Sequence, residues 1–125
     1  MFKQFVLVAL GGGMGSALRY MISLWILKRF PFTFLLSTFL VNITGCFIVG
    51  FLMGLLINHS IHSNELRLLL IVGFCGGFTT FSAFSSESLQ LYEAGNYLML
   101  TLYITASLLL GIIAVWGGNV LSNSL

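Results

Sequence analysis

The residues best suited to chemistry lie together in the third apolar stretch of the chain. Two adjacent glycines, Gly76 and Gly77, are followed after one phenylalanine by two threonines, Thr79 and Thr80. Glycine and β-branched threonine both hold a helix poorly, so this spacing predicts a helix break that frees backbone groups. Freed carbonyl groups bind cations, whereas freed N–H groups favour anions. The alternative is a continuous helix whose threonine hydroxyls bond back to the preceding turn.

Aromatic residues accompany this break at intervals of three. Phe78, Phe81 and Phe84 would share roughly one face of a continuous helix. A phenylalanine ring has a positive edge and a negative face, so ring edges can line a path for a small anion without trapping it. A packing or lipid-facing stripe is the commoner explanation of such spacing, when the residues are judged alone.

Polar side chains inside the second and fourth apolar stretches are further candidates. Asn42 is an amide deep in an apolar run, with Thr38 one helical turn before it. Its NH2 group could donate to an anion, or it could join two helices, and the sequence leaves both open. Tyr103 and Ser107, spaced by four, supply hydroxyl donors or ordinary bonds between helices.

Two charged residues lie at or near membrane depth. An ionisable residue within a membrane span is a functional candidate by default. Arg19 either draws anions into a vestibule or extends its charge to the membrane surface, and Glu87 either ends a hydroxyl track or pairs with a cation. His59 and His62 lie in a loop without further ligands, so we expect no metal site there. With no nucleophile–base pair and no nucleotide-binding motif, the sequence predicts no enzyme.

The composition shows which elements must position these residues. Of 125 residues, 58% are apolar and 6% are charged, against about 25% charged in a soluble domain. Such a chain must face lipid, and its net charge of +2 is too small and scattered for nucleic-acid binding. Cys46 and Cys75 both lie in apolar runs and are interpreted as packing residues.

Charged and polar residues divide the chain into four stretches, each long enough to cross the hydrocarbon core with about 20 helical residues. Pro31 suits the first turn of the second helix, where its missing N–H costs nothing. Strands are not expected, since the runs lack alternation and are too long. The sequence therefore predicts one all-α integral membrane domain with spans at about 5–27, 31–57, 65–91 and 96–121.

The basic residues are almost evenly divided between the two membrane faces. Lys3 and Arg67 fall on one face, and Lys28 and Arg29 fall on the other, together with Arg19 if its side chain extends that way. Orientation follows Lys and Arg, so this balance predicts insertion both ways up. Four helices leave little room for a pathway among their own side chains, which favours an antiparallel two-fold dimer.

Small residues spaced by four allow close helix packing, either within one subunit or between subunits. The sequence has three such pairs: Gly11 and Gly15, Gly50 and Gly54, Gly73 and Gly77.

Three motifs together resemble one family. Gly73–Phe84 is similar to the third-helix signature of the Fluc (CrcB) family of fluoride channels, Val41–Gly45 to its second-helix signature, and Gly11–Tyr20 to its first. The likeness covers nearly the whole chain in the right order, and the third motif is the most specific. A single four-span subunit with balanced charge suits the homodimeric branch of that family.

The resemblance implies an antiparallel homodimer in a cell (inner) membrane, with two separate fluoride pathways that export the ion passively and lower its toxicity. Phe81 and Phe84 match the family's box of phenylalanines, and Asn42 matches its pore asparagine. Ser82 and Glu87 match the polar track beyond the box.

The resemblance also implies a structural sodium ion, held by backbone carbonyls at Gly76 and Thr79 of both subunits. Ala83 departs from the family, because a threonine often stands there, and the change removes one hydroxyl from the track.

Two other functions compete with the channel. A small proton-coupled multidrug exporter would need an acidic residue in the first span, which has Arg19 instead. An accessory structural membrane subunit would explain the glycine pairs but not the break.

Overall fold

A computed structural model of the chain describes residues 1–31 and 34–125. In these residues the fold is all-α, as predicted, and no strand occurs. Pro31 lies in a turn rather than in a helix, and residues 32 and 33 of the predicted second span lie outside the described residues. Four segments in the described chain are long and apolar enough to cross a membrane: Phe2–Arg29, Phe34–Asn58, Asn64–Glu93 and Tyr97–Asn123. They are called the first helix, the second helix, the third segment and the fourth helix.

The ends of these elements follow ordinary capping chemistry. The Ser63 hydroxyl accepts a hydrogen bond from the Leu66 N–H at 3.2 Å, and this begins the third segment. The Asn96 side chain accepts from the Met99 N–H at 3.4 Å and begins the fourth helix. Gly95, between the third segment and the fourth helix, has φ +73°, a conformation that glycine adopts without strain.

The third segment is not uniform along its length. The chain leaves the helix at Thr79 (φ −84°, ψ 156°) and Thr80 (φ −144°, ψ 116°), both extended, and resumes it at Phe81. The two glycines before this interruption remain helical, and the two β-branched threonines are the residues that leave. The parts of the segment are an α-helical turn Asn64–Leu66, a π-helical stretch Arg67–Cys75, a turn Gly76–Phe78 and an α-helix Phe81–Glu93.

Glycines bring the first helix and the third segment into backbone contact. A Cβ atom at Gly15 would meet the Phe74 carbonyl and the Phe78 N–H group. A Cβ atom at Gly77 would likewise meet the backbone of Gly12. These two elements therefore pack through their main chains, as small residues allow in membranes.

The second and fourth helices pack against each other in the same manner. Gly50 faces the backbone of Val115, and Gly54 faces the Ser122 side chain. Gly118 of the fourth helix closes on the backbone of Phe47. The sequence allowed these glycines to pack either within one subunit or between subunits. In the structure they pack within one subunit.

Gly15→Ala is expected to lower the free energy of unfolding by about 1–3 kcal/mol, because the added methyl overlaps backbone atoms that cannot move aside. Gly13→Ala is the matched control on the same helix, since a methyl group there would have no neighbour within 4 Å among the described atoms. That variant should differ from the unaltered protein by less than about 0.5 kcal/mol. Reversible unfolding in mixed micelles measures both, and equal losses at the two positions would contradict this packing.

Candidate functional site

Asn42 is bound to the backbone at the interruption. Its Oδ1 accepts a hydrogen bond from the Thr80 N–H at 2.7 Å, and its Nδ2 donates to the Thr80 carbonyl at 3.0 Å. This pair satisfies both main-chain groups of a residue that has left the helix, where unpaired groups would be costly at membrane depth. Asn42 thus joins the second helix to the third segment, which is one of the two roles that the sequence left open for it. The amide nitrogen carries a second hydrogen that this pair does not use.

Threonine hydroxyls complete the local structure. The Thr80 Oγ1 accepts from the Ala83 N–H at 3.1 Å and caps the helix that follows, and it also lies 3.2 Å from the Ser82 Oγ. The Thr79 hydroxyl donates back to the Cys75 carbonyl at 2.9 Å. The sequence analysis considered threonine hydroxyls that bond back to the preceding turn as the alternative to a helix break. Thr79 makes such a bond, beside the interruption.

Two carbonyl groups beside the interruption accept no hydrogen bond from the described residues. In a regular α-helix the Thr80 N–H would bond to Gly76, but here it bonds to Asn42. Among the hydrogen bonds of the described residues, none ends on the carbonyl oxygen of Gly76 or of Thr79. Gly76 is exposed on the subunit surface and Thr79 is half-buried. Carbonyl oxygens that accept no hydrogen bond are suitable ligands for a hard cation. The two groups therefore fit the sodium ligands that the family resemblance implies.

The three spaced phenylalanines do not share one face, which corrects the sequence interpretation. Phe78 is buried, stacks on Phe74 with centroids 5.9 Å apart, and places its ring against Gly45 of the second helix. Phe81 and Phe84 lie 5.8 Å apart at 37°, and Phe84 lies 5.2 Å from the Tyr103 ring at 47°. The extended residues between Phe78 and Phe81 break the helical periodicity, so only the later two rings form a pair.

A cavity of about 310 Å³ lies beside the interruption, between the second helix, the third segment and the fourth helix. The Ser107 hydroxyl oxygen is buried and has no hydrogen-bond partner among the described residues. The structure thus brings Asn42, both later phenylalanines and Ser107 to one site, while Ser82 lies outside it. The lining residues are Asn42, Cys46, Val49, Thr79, Thr80, Phe81, Phe84, Ser107, Leu108 and Val115.

Glu87 is held by two hydroxyls from two other helices. The Thr38 Oγ1 donates to its Oε1 at 2.6 Å, and the Tyr103 hydroxyl donates to its Oε2 at 2.6 Å. Hydroxyl-to-carboxylate bonds of this length are strong. Because the Tyr103 ring also contacts Phe84, this carboxylate cluster adjoins the phenylalanine pair. Glu87 therefore gathers hydroxyls from the second and fourth helices, and no pairing with a cation is seen among the described residues.

Arg19 points into the protein. Its Nε donates to the Gly77 carbonyl at 3.1 Å, and the Ser16 hydroxyl donates to the same oxygen at 3.3 Å. The guanidinium group is therefore fixed on the third segment shortly before the interruption. This position differs from a side chain that merely reaches for the membrane surface.

Two residues of the site have roles that the sequence did not predict. Thr80 is both the partner of Asn42 and a helix cap, and a threonine directly before a helical run was the signal for it. Cys46 lines the cavity, and its spacing of four from Asn42 places it one turn further along the same face.

Comparison with known proteins bears on what this site does. The profile of the family described as "CrcB-like protein, Camphor Resistance (CrcB)" matches residues 6–119. A protein of Azobacteroides pseudotrichonymphae named "Fluoride-specific ion channel FluC" is 48% identical over 98% of this chain and 98% of its own length. Relatives of the same name from Flavobacterium psychrophilum (44% identical, 98% of this chain and 99% of the relative) and Phocaeicola vulgatus (46%, 93% and 95%) are similar over nearly their whole lengths.

Proposed function

This chain belongs to the CrcB family, in which the three relatives above are named fluoride-specific ion channels, and we propose that it conducts fluoride through the cavity beside Asn42. It is a multi-pass membrane protein with four helical segments able to cross a bilayer within its described residues. One observation supports this pathway above all: neutral hydrogen-bond donors and tilted phenylalanine rings lie together at the interruption of the third segment. Neither the multidrug exporter nor the accessory subunit is favoured by the comparisons.

The cavity offers fluoride weak donors in place of its water. Asn42 has one amide hydrogen left after it binds Thr80, and the unpaired Ser107 hydroxyl is a second donor. The tilted rings of Phe81 and Phe84 add positive edges. Several weak donors can replace a hydration shell without holding the ion too tightly to leave, which conduction requires.

The carboxylate cluster continues the pathway beyond Phe84. Thr38 and Tyr103 each have one hydroxyl hydrogen, and both are donated to Glu87. Donation to a passing fluoride therefore requires that a hydroxyl turn away from the carboxylate and return to it afterwards. Ser82, which is exposed and lies outside the cavity of the single subunit, would add a hydroxyl from the start of the same helix, and Ala83 adds none. We infer that this rotation carries fluoride past the Glu87 side chain.

Arg19 supplies a positive charge near the pathway. Its Nε is engaged by the Gly77 carbonyl, so the charge is fixed shortly before the interruption. A fixed cation in a low-dielectric wall raises the local concentration of anions. We assign Arg19 to the vestibule in this sense.

A second, antiparallel copy of the chain would complete the pathway. The Phe81 side chain is 78% exposed in the single subunit although it lies midway across the third segment. A cavity walled on one side by lipid cannot solvate an anion. The balanced Lys and Arg distribution supports insertion in both orientations, as such a dimer needs. A terminal reporter found on one side of the membrane in every molecule would refute this arrangement.

The same dimer would hold a structural sodium ion. The unpartnered carbonyls of Gly76 and Thr79 are the ligands that this chain provides, and the exposure of Gly76 leaves them reachable from a second copy. A bound cation would add a fixed positive charge and secure the interruption in the third segment. Ion-replacement crystallography tests it: an anomalous signal at these oxygens supports the site, and a water there removes it.

The biological role follows from charge and voltage. In a cell (inner) membrane, an inside-negative potential favours exit of one anion by about 2.3 kcal/mol per 100 mV. Passive conduction driven by this potential is thus sufficient to export fluoride and lower its toxicity, and no coupled ion or ATP is required.

Glu87→Gln distinguishes the channel from a proton-coupled exporter. Glutamine keeps a neutral acceptor oxygen for one hydroxyl, and its NH2 group must donate to the other hydroxyl instead of accepting from it, a change worth about 1 kcal/mol. Fluoride efflux should therefore stay within about tenfold of the unaltered rate. Complete loss of efflux, together with proton movement that accompanies substrate in the unaltered protein, would contradict a passive channel.

Efflux from liposomes tests the proposed function directly. Vesicles holding the purified protein are loaded with fluoride or with chloride, and a potassium ionophore balances the charge. We expect fast fluoride loss that requires the ionophore, and no chloride loss. Absence of fluoride loss from a well-folded dimer would defeat the proposal.

A further inference from the structure

A groove runs down the subunit at the membrane end that carries the loop between the second helix and the third segment. Two adjoining cavities of about 350 and 300 Å³ form it, and both are lined by Leu56, Ile57 and Arg67. The groove lies near the end of the second helix, more than three helical turns along that helix from Asn42. It is therefore separate from the proposed fluoride pathway.

The groove changes character along its length. Its outer part is polar and is walled by His62, Ser63 and Asn64 of the loop and of the first turn of the third segment. Its inner part is apolar and is walled by Met53 and Ile71. Arg67 lines both parts, so a cationic group marks the boundary between them.

No carboxylate among the described residues neutralises the charge of Arg67. The nearby carboxylate of Glu65 is bonded to Lys3 at 2.5 Å. Within residues 1–31 and 34–125, Arg67 takes part in no ion pair. A basic side chain at the end of a membrane span, above an apolar groove, complements a lipid phosphate and the chain beneath it.

We propose that this groove binds an anionic phospholipid from the adjacent leaflet. The phosphate lies at Arg67 and His62, and one acyl chain follows Met53, Ile57 and Ile71 into the hydrocarbon region. The continuous apolar lower part distinguishes a lipid from free phosphate, which would use only the outer part. Bound in this way, the lipid ties the loop to the second helix and to the start of the third segment.

Native mass spectrometry of the detergent-purified protein tests the proposal. Phosphatidylglycerol and phosphatidylcholine of identical acyl chains are added in equal amounts, and bound lipids are counted per subunit. One basic residue near a lipid surface is worth a preference of about fivefold for the anionic lipid. Arg67→Gln should reduce this preference to nearly none. Lys28→Gln is the matched control, because Lys28 is an exposed basic residue in the last turn of the first helix and lines neither cavity.

A second variant tests the apolar part. The Ile57 side chain is 70% exposed, so Ile57→Trp should fold, fill the groove and reduce binding of both lipids. All three variants should retain fluoride efflux, which shows that they are folded and keeps this test separate from the proposed function. Equal retention of the two lipids by the unaltered protein would overturn the proposal. Equal loss in Arg67→Gln and Lys28→Gln would also overturn it, as would displacement of the lipid by millimolar inorganic phosphate.

Discussion

Replacing Phe84 by isoleucine is expected to slow fluoride efflux from proteoliposomes by up to about tenfold while the protein remains folded. The Phe84 ring stands between Phe81 and Tyr103, with centroid distances of 5.8 and 5.2 Å. Isoleucine is apolar and similar in bulk, but it has no positively polarised edge. Losing ring-edge interactions of about 0.5–1.5 kcal/mol at a barrier in the pathway corresponds to roughly two- to tenfold in rate.

A matched exchange separates this effect from general loss of packing. Phe47→Ile removes a ring of the second helix that stacks on Phe51 at 6.5 Å and does not line the cavity. Efflux through that variant should equal the unaltered rate, whereas Phe81→Ile should be slow like Phe84→Ile. If both variants of the ring pair conduct normally, the pair serves only to pack the helices.

Asn42→Leu is expected to have the largest effect on both stability and conduction. The substitution leaves the Thr80 N–H and carbonyl without their partner, and each unsatisfied group costs about 1–3 kcal/mol. We therefore expect the free energy of unfolding to fall by about 2–6 kcal/mol in mixed micelles. Fluoride efflux should be lost as well, since an amide donor is replaced by an apolar side chain.

The same exchange at the membrane end provides a control. The Asn58 Nδ2 donates to the Asn123 Oδ1 at 2.6 Å, but both residues are exposed. Water can replace that bond, so Asn58→Leu should cost less than about 1 kcal/mol and leave efflux unchanged. A similar cost at both positions would show that Asn42 does not secure the interruption.

The helices themselves could be predicted because lipid imposes a simple rule. A segment that crosses hydrocarbon must satisfy its own backbone, so apolar length alone identifies a membrane helix. The described bounds extend a few residues past the predicted ones, as at Arg29, because hydrogen bonding continues where polar side chains reach the surface. Pro31 was wrongly assigned to a helix, since its suitability for a first turn does not require that a helix begin there.

The sequence predicted which residues form the candidate site, but only part of how they lie relative to one another. Asn42 and the Gly–Gly–Phe–Thr–Thr run stood out because polar and helix-breaking residues are costly in an apolar span. The interruption also invalidated a periodic argument, because Phe78 and Phe81 lie on opposite sides of it. Helical spacing holds only while the helix continues, and the position of an interruption depends on partners from elsewhere in the chain.

Local composition thus sufficed for the features that the lipid solvent dictates: a lipid-embedded all-α chain, four spans, balanced charge and a weak point in the third of them. Tertiary structure decided which polar groups meet. The Asn42–Thr80 pair joins residues 38 positions apart, and the Glu87 cluster draws on three helices. Short-range periodicity cannot determine such pairings, because they depend on how helices rotate and slide until glycine contacts and hydrogen bonds are satisfied together.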